Sequence, residues 1–176
     1  MEERISSEAV YPGKLFQVFR DKVSLPGGRT TAREIVRHPG SVAIVPRLND
    51  GHIILVRQFR YATGQELWEI PAGTRDRQGE SLEETAHREL AEEAGFKSGR
   101  MTRLGQAYLV PGWGDELMTW FLAEDLSPTR AEAEPDESFQ VNPFDPASLR
   151  ALLSSGGLQD AKTLLGLAWC GVQIPH

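Results

Sequence analysis

The segment from Ser81 to Gly95 constrains the fold more strongly than any other part of the chain. Its apolar residues recur every four positions and therefore line one face of a helix: Leu82, Ala86, Leu90 and Ala94. Ser81 and Glu84 have the spacing of a capping box, and Gly95 suits a left-handed C-cap. The sequence therefore predicts a helix over about 82–94.

The first forty residues have the pattern of a small antiparallel β unit. Apolar and polar residues alternate in three segments, which predict strands at 14–20, 22–25 and 30–38. A Pro26-Gly27-Gly28 break separates the second segment from the third. Pro39-Gly40 then ends the pattern, so we predict an N-terminal β unit over 1–38 and a main domain over 39–176.

The main domain mixes predicted strands and helices. Asn49-Asp50-Gly51, between two apolar runs, predicts a tight hairpin, because Asp-Gly readily adopts the positive φ angles of such a turn. Further strands are predicted at 66–70, 104–110 and 117–123, an exposed acidic loop at 129–138, and helices at 146–154 and 160–170. The second of these helices has Asp160 as its expected N-cap. This mixed order favours an α/β (α+β) fold with a mixed sheet.

Composition excludes several classes of protein. A chain of 176 residues can bury a core of its own, and its single cysteine, Cys170, excludes an intrachain disulfide framework or a multi-cysteine zinc site. A net charge of −6 and a pI near 5.3 argue against a protein that coats nucleic acid. The first ten residues lack the apolar core of a signal peptide, and no segment approaches the roughly 20 apolar residues of a membrane span. We therefore expect a cytoplasmic protein with no nucleic-acid or membrane partner.

Three glutamates share one face of the predicted helix: Glu89, Glu92 and Glu93. Spacings of three and four residues bring their carboxylates close together, where like charges repel. A hard divalent cation such as Mg²⁺ or Mn²⁺ would offset this repulsion, because it takes oxygen ligands. The alternative is a solvated acidic face, and both interpretations remain open at this point.

The segment from Gly73 to Phe96 resembles the Nudix box. That motif is a glycine, five residues, a glutamate, seven residues, and then Arg-Glu-apolar-x-Glu-Glu-x-Gly-apolar. The matching residues here are, in order, Gly73, Glu80, Arg88, Glu89, Leu90, Glu92, Glu93, Gly95 and Phe96. In one departure, six residues rather than five separate Gly73 from Glu80. The extra residue falls in the loop before the helix, so it should leave the helical carboxylates in register.

The resemblance implies a Nudix-type α/β/α sandwich with a mixed sheet and a divalent metal site. The metal ligands that it implies are Glu89, Glu93 and the backbone carbonyl of Ala72. Glu92 would lie beside them as a further ligand or a neighbour of the ligands. The structural positions of the box would be Gly73, Glu80, Arg88 and Gly95, with Arg88 pairing with Glu80 to hold the loop on the helix.

Other passages resemble the ADP-ribose pyrophosphatase branch of this family: 33–46, 56–73, 158–170 and the VPGWGDE stretch that contains Pro111. The last of these implies Glu116 as the catalytic base, with Asp115 and Glu92 as alternatives. The likeness also implies that Arg60 binds a phosphate and that Arg33 or Glu34 lies near the adenine. In this branch the N-terminal β unit commonly exchanges between subunits, so the resemblance implies a homodimer.

Nudix enzymes cleave a nucleoside diphosphate linked to a second group. The resemblance therefore implies metal-dependent hydrolysis of ADP-ribose or a related nucleoside diphosphate sugar, giving AMP and ribose 5-phosphate. A pyrophosphatase for GDP-mannose or another sugar nucleotide is an alternative, because the box specifies the diphosphate and not the attached group. A catalytically silent Nudix domain that binds nucleotide sugars is a second alternative, although the intact box glutamates argue against it.

Overall fold

The computed structural model describes residues 1–130 and 139–173. Its strands are β1 (Glu3–Pro12), β2 (Gln17–Ser24), β3 (Thr30–Arg37), β4 (Ser41–Pro46), β5 (Ile53–Arg60), β6 (Gln65–Glu69), β7 (Ala72–Thr74), β8 (Phe96–Tyr108), β9 (Leu117–Pro128) and β10 (Gln140–Phe144). Its helices are α1 (Leu82–Ala94), α2 (Pro146–Ser154) and α3 (Ala161–Trp169). The chain divides into two compact units, of which the first comprises 1–40 and 107–118 and the second the remainder.

The first unit contains a three-stranded antiparallel sheet with the order β1-β2-β3. One prediction for this sheet is wrong, and one of its strands was not predicted. The segments 14–20 and 22–25 do not form separate strands, because β2 runs continuously from residue 17 and pairs with β3 along its whole length. β1 was not predicted, since all its residues are exposed and it lacks the alternating buried side that identifies a core strand.

The main sheet has the order β7-β4-β9-β8. β4 is antiparallel to β7. It runs parallel to β9, because Gly40 lies against the Leu117 carbonyl at one end and the Arg47 N–H donates to the Ala123 carbonyl at the other (2.8 Å). The predicted mixed sheet is therefore confirmed.

Helices cover both faces of β4, all of whose residues are buried. One face packs with α1 in a cluster of buried side chains: Val42, Ile44, Ile54, Val56, Ala86, Leu90, Ala94, Phe121 and Ala123. On the other face α3 approaches so closely at Gly166 that an added Cβ atom would lie within 3.1 Å of Val45 and Trp120. Because side chains alternate along a strand, these contacts put α1 and α3 on opposite sides, as the predicted α/β/α arrangement requires.

The turn at Asn49-Asp50-Gly51 forms as predicted, but the hairpin does not continue beyond it. The Leu48 N–H donates to the His52 carbonyl at 2.8 Å, and Gly51 has a φ of 88°. Pairing then ends at the bridge between Arg47 and Ile53. β7 and β9 occupy both edges of β4, so β5 joins a separate sheet with the order β10-β5-β6.

The helices match the sequence predictions better than the strands do. α1 and α2 occupy their predicted ranges, and α3 begins after the predicted N-cap Asp160, whose carboxylate accepts from the Thr163 N–H at 3.0 Å. β8 and β9 are longer than predicted, and β10 was not predicted. Residues 131–138 of the predicted acidic loop lie outside the described residues.

The division into 1–38 and 39–176 remains a prediction. Among the described helices, none has the length and apolar character needed to cross a membrane.

Candidate active site

The site is centred on the buried face of α1, where Glu89 and Glu93 lie one turn apart. Their exposed fractions are 8% and 6%. The Ala72 N–H donates to Glu93 Oε2 at 2.9 Å, and a Cβ atom added to Gly73 would overlap the Glu89 carboxylate. Both carboxylates therefore meet the Ala72-Gly73 backbone, and a solvated acidic face is the wrong interpretation for this pair.

The caps of α1 fix which residues it turns toward β7. Ser81 Oγ accepts from the Glu84 N–H, and the Glu84 carboxylate accepts from the Ser81 N–H at 2.8 Å, which completes the predicted capping box. At the other end Gly95 adopts a φ of 74°, a left-handed conformation that glycine reaches without the steric cost of a Cβ atom. The register of the two buried glutamates is thus set by local sequence at both ends of the helix.

Arg88 offsets much of the negative charge of this face. Its Nη1 donates to Glu89 at 2.6 Å and to Glu92 at 3.0 Å. Its Nε and Nη2 donate to Glu80 at 3.1 and 3.2 Å. Burial opposes the guanidinium charge, but the surrounding carboxylates raise the pKa of Arg88. A side chain of the helix therefore supplies part of the compensation that the repulsion between these glutamates requires.

The loop before α1 contains the extra residue that departs from the box pattern. Glu80, at its end, still meets Arg88, and it also accepts from Thr85 Oγ1 at 3.0 Å. The hydrogen bond from Arg88 lowers the pKa of Glu80, although burial opposes this effect. The loop is therefore held on the helix, and the longer spacing leaves the helical carboxylates in register.

The donors gathered at this face suit a hard divalent cation. The carboxylate oxygens of Glu89 and Glu93 and the carbonyl oxygen of Ala72 are of the kind that Mg²⁺ and Mn²⁺ prefer. Glycine at position 73 leaves beside Glu89 a space that any side chain would fill. Within 1–130 and 139–173, no three His, Cys, Asp or Glu side chains are already grouped as a metal site.

A second charged cluster surrounds Arg60. The Arg60 guanidinium binds the Glu69 carboxylate at two points, at 2.8 and 2.6 Å. Glu69 is 2% exposed and also contacts Lys162 Nζ, which donates in turn to Asp160 at 3.0 Å. Burial opposes the charge of Glu69, but Arg60 and Lys162 lower its pKa. Glu69 raises the pKa of Arg60, and Glu93 adds to that increase.

Glu69 and Lys162 were not predicted from the sequence. A signal for Glu69 was present, because a glutamate between Trp68 and Ile70 in a predicted strand is a charge placed where burial is expected, and a buried charge needs a partner. Nothing local identifies Lys162 as that partner, since it lies 93 residues further along the chain.

In the first unit, the segment that carries Glu116 lies along the end of β3. The Val36 N–H donates to the Trp113 carbonyl at 2.8 Å, and the Asp115 N–H donates to the Val36 carbonyl at 3.1 Å. These two bonds form a parallel bridge between Val36 and Gly114. The side chain of Trp113 remains 57% exposed.

The two acids of this segment have different partners. Asp115 accepts from Arg37 Nη1 and from the His38 N–H, both at 2.9 Å. Burial opposes the charge of Asp115, but these two bonds lower its pKa. Glu116 Oε1 lies 3.9 Å from His38 Nδ1. That nitrogen accepts from the Gly40 N–H at 3.1 Å, so in the neutral ring the proton is on Nε2.

The residues expected near adenine, Arg33 and Glu34, are neighbours on β3 in the first unit. Arg33 binds Glu2 at 2.5 Å, and Glu34 lies 3.6 Å from Arg20 on β2. The structure therefore gathers the box residues and Arg60 in the second unit, and Arg33, Glu34 and Glu116 in the first.

Comparisons with known proteins, by family model, by sequence and by structure, agree with one another. A model of the NUDIX domain matches residues 37–165. The chain is 37% identical over 170 residues to the ADP-ribose pyrophosphatase of Bacillus subtilis (strain 168), which covers 96% of this chain and 91% of that protein. It is 42% identical over 137 residues to the ADP-ribose pyrophosphatase of Mycobacterium tuberculosis (strain ATCC 25618 / H37Rv), with 77% and 66% covered. A crystal structure of an ADP compounds hydrolase superposes with a TM-score of 0.85 at 26% identity, over 97% of this chain and 92% of that one.

Proposed function

This chain belongs to the NUDIX family, and on that basis we propose that it hydrolyses the diphosphate linkage of ADP-ribose or a related nucleoside diphosphate sugar. The products of ADP-ribose would be AMP and ribose 5-phosphate. The observation that carries the proposal is the buried pair Glu89 and Glu93, set against the Ala72-Gly73 backbone within an intact box.

The residues proposed to hold Mg²⁺ or Mn²⁺ are Glu89, Glu93 and the carbonyl of Ala72, with Glu92 beside them. When bound, the cation supplies charge neutralisation at the diphosphate and makes water more acidic. This chemistry suits a protein of net charge −6, whose glutamates would otherwise repel an anionic substrate. Arg88 and Glu80 contribute by fixing the loop on the helix.

The chain's own side chains would bind the substrate and move the proton. Glu69 accepts from Nε and Nη2 of Arg60 and so holds the guanidinium in one orientation. The donors of Nη1 would then bind a phosphate. Arg33 or Glu34 would face the adenine.

In the reaction, water adds across the diphosphate: its oxygen bonds to one phosphorus, the bridging P–O bond breaks, and the departing phosphate retains the bridging oxygen. Glu116 would accept the proton of the water.

The choice of Glu116 as the base is supported by the partners of its competitors. Asp115 is bound by a guanidinium and a backbone N–H, which stabilise its ionised form and make it a weak base. Glu92 accepts from Arg88 and lies 3.3 Å from Arg77. The Glu92 carboxylate is thus already engaged in two ion pairs.

A panel of nucleoside diphosphate sugars tests the proposal. The chain is incubated with Mg²⁺ and each compound, and phosphomonoester products are measured by phosphate release with alkaline phosphatase, which does not attack the intact diphosphates. We expect a higher kcat/KM for ADP-ribose than for GDP-mannose. A preference for GDP-mannose of tenfold, about 1.4 kcal/mol in transition-state stabilisation, would favour that alternative substrate. Binding of ADP-ribose without turnover at saturating Mg²⁺ would favour the silent module.

We further propose that the protein acts as a cytoplasmic homodimer in which the N-terminal β unit contacts the other subunit. Large apolar side chains are exposed in that unit: Ile5, Val10, Tyr11, Leu15 and Phe16. A partner that covers them would remove a considerable apolar surface from water. The acidic composition supports the absence of a nucleic-acid partner.

A further inference from the structure

Arg37 connects the sheet of the first unit to the segment that carries Glu116. Its Nη1 donates to Asp115 at 2.9 Å, and its Nη2 lies 3.4 Å from Asp21. Asp21, on β2, has a side chain that is only 3% exposed, and it also accepts from Ser7 Oγ on β1 at 2.5 Å. An arginine held between two carboxylates has the direction of its fork fixed. The guanidinium is therefore anchored on the sheet side by a buried residue.

The backbone of the segment is held at the same place. Asp115 donates its N–H to the Val36 carbonyl and accepts with its carboxylate from the His38 N–H, so it bonds the residues on both sides of Arg37. Glu116 follows directly, and its carbonyl accepts from the Leu109 N–H at 3.2 Å. The Glu116 backbone is therefore held on one side by the contacts of Asp115 and on the other by its own bond to Leu109.

We propose that Arg37 and Asp115 form a clamp that holds the 110–116 segment against β3 and thereby positions Glu116. Both are positioning residues. Asp115 lies next to the proposed base Glu116 but does not itself accept the proton of the water. The inference rests on the proposed function in so far as Glu116 is the base. The clamp itself can be tested without substrate.

The position of a catalytic carboxylate matters because a misplacement of roughly 1 Å can reduce turnover about 100-fold. When the clamp is lost, the two backbone bonds between Val36 and the segment remain, so the segment should open more often without the unit unfolding. The expected defect is a lower kcat with little change in KM, because substrate contacts are made elsewhere and the base acts in the transition state.

The experiment compares Arg37→Met, Asp115→Asn, the double variant, the conservative Arg37→Lys, and Arg29→Met as a control. Arg29 lies in the exposed β2–β3 turn of the same unit. Residue-resolved amide exchange is measured by NMR, together with kcat, KM and their pH dependence on ADP-ribose with Mg²⁺. The Ile44 amide, which donates to the Pro71 carbonyl, serves as an internal reference for global opening.

In Arg37→Met and Asp115→Asn, exchange of the Val36 and Asp115 amides should accelerate by about tenfold or more, while Ile44 is unchanged. kcat should fall roughly 10- to 100-fold with KM within about threefold. The double variant should be no slower than the slower single variant, because both remove one interaction. Arg37→Lys should recover part of the loss, the pH profile should keep its shape, and Arg29→Met should match the wild type.

Two results would overturn the clamp. One is unchanged exchange at Val36 and Asp115 in Arg37→Met. The other is an inactive Asp115→Asn beside a fully active Arg37→Met, which would make Asp115 itself catalytic. A wild-type chain that leaves every diphosphate intact would refute the proposed function, and the exchange data would still decide whether the pair holds the segment.

Discussion

At the scale of single residues, the site is made of carboxylates that are buried and yet compensated. Glu69, Glu89 and Glu93 are each less than a tenth exposed. Removing a charge from water carries an effective penalty of several kcal/mol, which only close donors offset. Here the donors are Arg60 and Lys162 for Glu69, Arg88 for Glu89, and the Ala72 N–H for Glu93. Each charge is therefore held in one place, which a binding site for a small polyanion requires.

The first residue-scale prediction concerns the proposed metal ligands. Glu93→Gln keeps an oxygen for the Ala72 N–H but removes the negative charge, so kcat should fall by orders of magnitude while the circular dichroism spectrum stays native. Activity is measured over a Mg²⁺ titration. Glu83→Gln, on the exposed side of the same helix, is the matched control and should behave as wild type. Near-native turnover of Glu93→Gln at saturating Mg²⁺ would show that the metal assignment is wrong.

The second prediction concerns the base. Glu116→Gln should lower kcat far more than it raises KM, because proton acceptance matters chiefly in the transition state. Raising the pH should restore part of the activity, since hydroxide can then replace the lost base. Asp115→Asn should be milder and should show no such rescue. If Glu116→Gln and Asp115→Asn both retain high kcat at saturating ADP-ribose, the role passes to Glu92.

At the scale of secondary structure, the joint between the box loop and α1 depends on the Glu80–Arg88 pair. Both side chains are nearly enclosed, with exposed fractions of 14% and 13%. The pair also holds the Glu89 and Glu92 carboxylates through the same guanidinium. The Arg88 guanidinium therefore holds the loop on the helix and also pairs with the carboxylates of the helix.

Stability should depend on pH through this pair. The pKa of Glu80 is lowered in the folded chain, so its contribution is present above the pKa of an unfolded glutamate, about 4.3, and is lost as the pH falls through the folded value. Urea unfolding should show Glu80→Gln to be less stable by roughly 1–3 kcal/mol at pH 7. The difference should shrink progressively below about pH 4.3.

The control for this prediction is Glu66→Gln. Glu66 pairs with Arg57 at 2.9 Å, but both side chains are at least 40% exposed. A surface pair of this kind contributes about 0–1 kcal/mol, so the variant should lose little stability at either pH. Equal losses in the two variants would mean that the enclosure of Glu80 has no energetic effect.

What the sequence predicts well at this scale is local. α1 is predicted to the residue, because Ser81, Glu84 and Gly95 carry its boundaries within the segment itself. The box register follows from the same signals. The pairing partners of β4 are not determined locally. β7 and β9 occupy both of its edges and leave none for β5, although β5 follows β4 directly in the sequence. The pairs Arg37–Asp115 and Glu69–Lys162 join residues 78 and 93 apart, so no spacing rule reveals them.

At the scale of the whole molecule, the exposed apolar residues of the first unit predict self-association. Light scattering should give twice the 19.5 kDa mass of one chain. Replacing Leu15 and Phe16, which are 56% and 39% exposed, with glutamate should shift the protein toward monomer, because burial of charge at an interface is costly. Val141→Glu, at an exposed apolar position of the second unit, should remain dimeric. A wild-type monomer at micromolar concentration would contradict the proposed dimer.

The parallel pairing of β4 with β9 has a consequence for how the chain acquires its structure. Arg47 bonds to Ala123, 76 residues further along, so the pairing of this fully buried strand cannot be completed until most of the polypeptide exists. Contacts this distant in sequence slow folding, because the entropy of closing a long loop is spent before any pairing rewards it. During synthesis, residues 41–46 therefore emerge with one edge of their strand awaiting a partner. A nascent chain in that condition is prone to aggregate, and chaperone dependence should be concentrated in this interval.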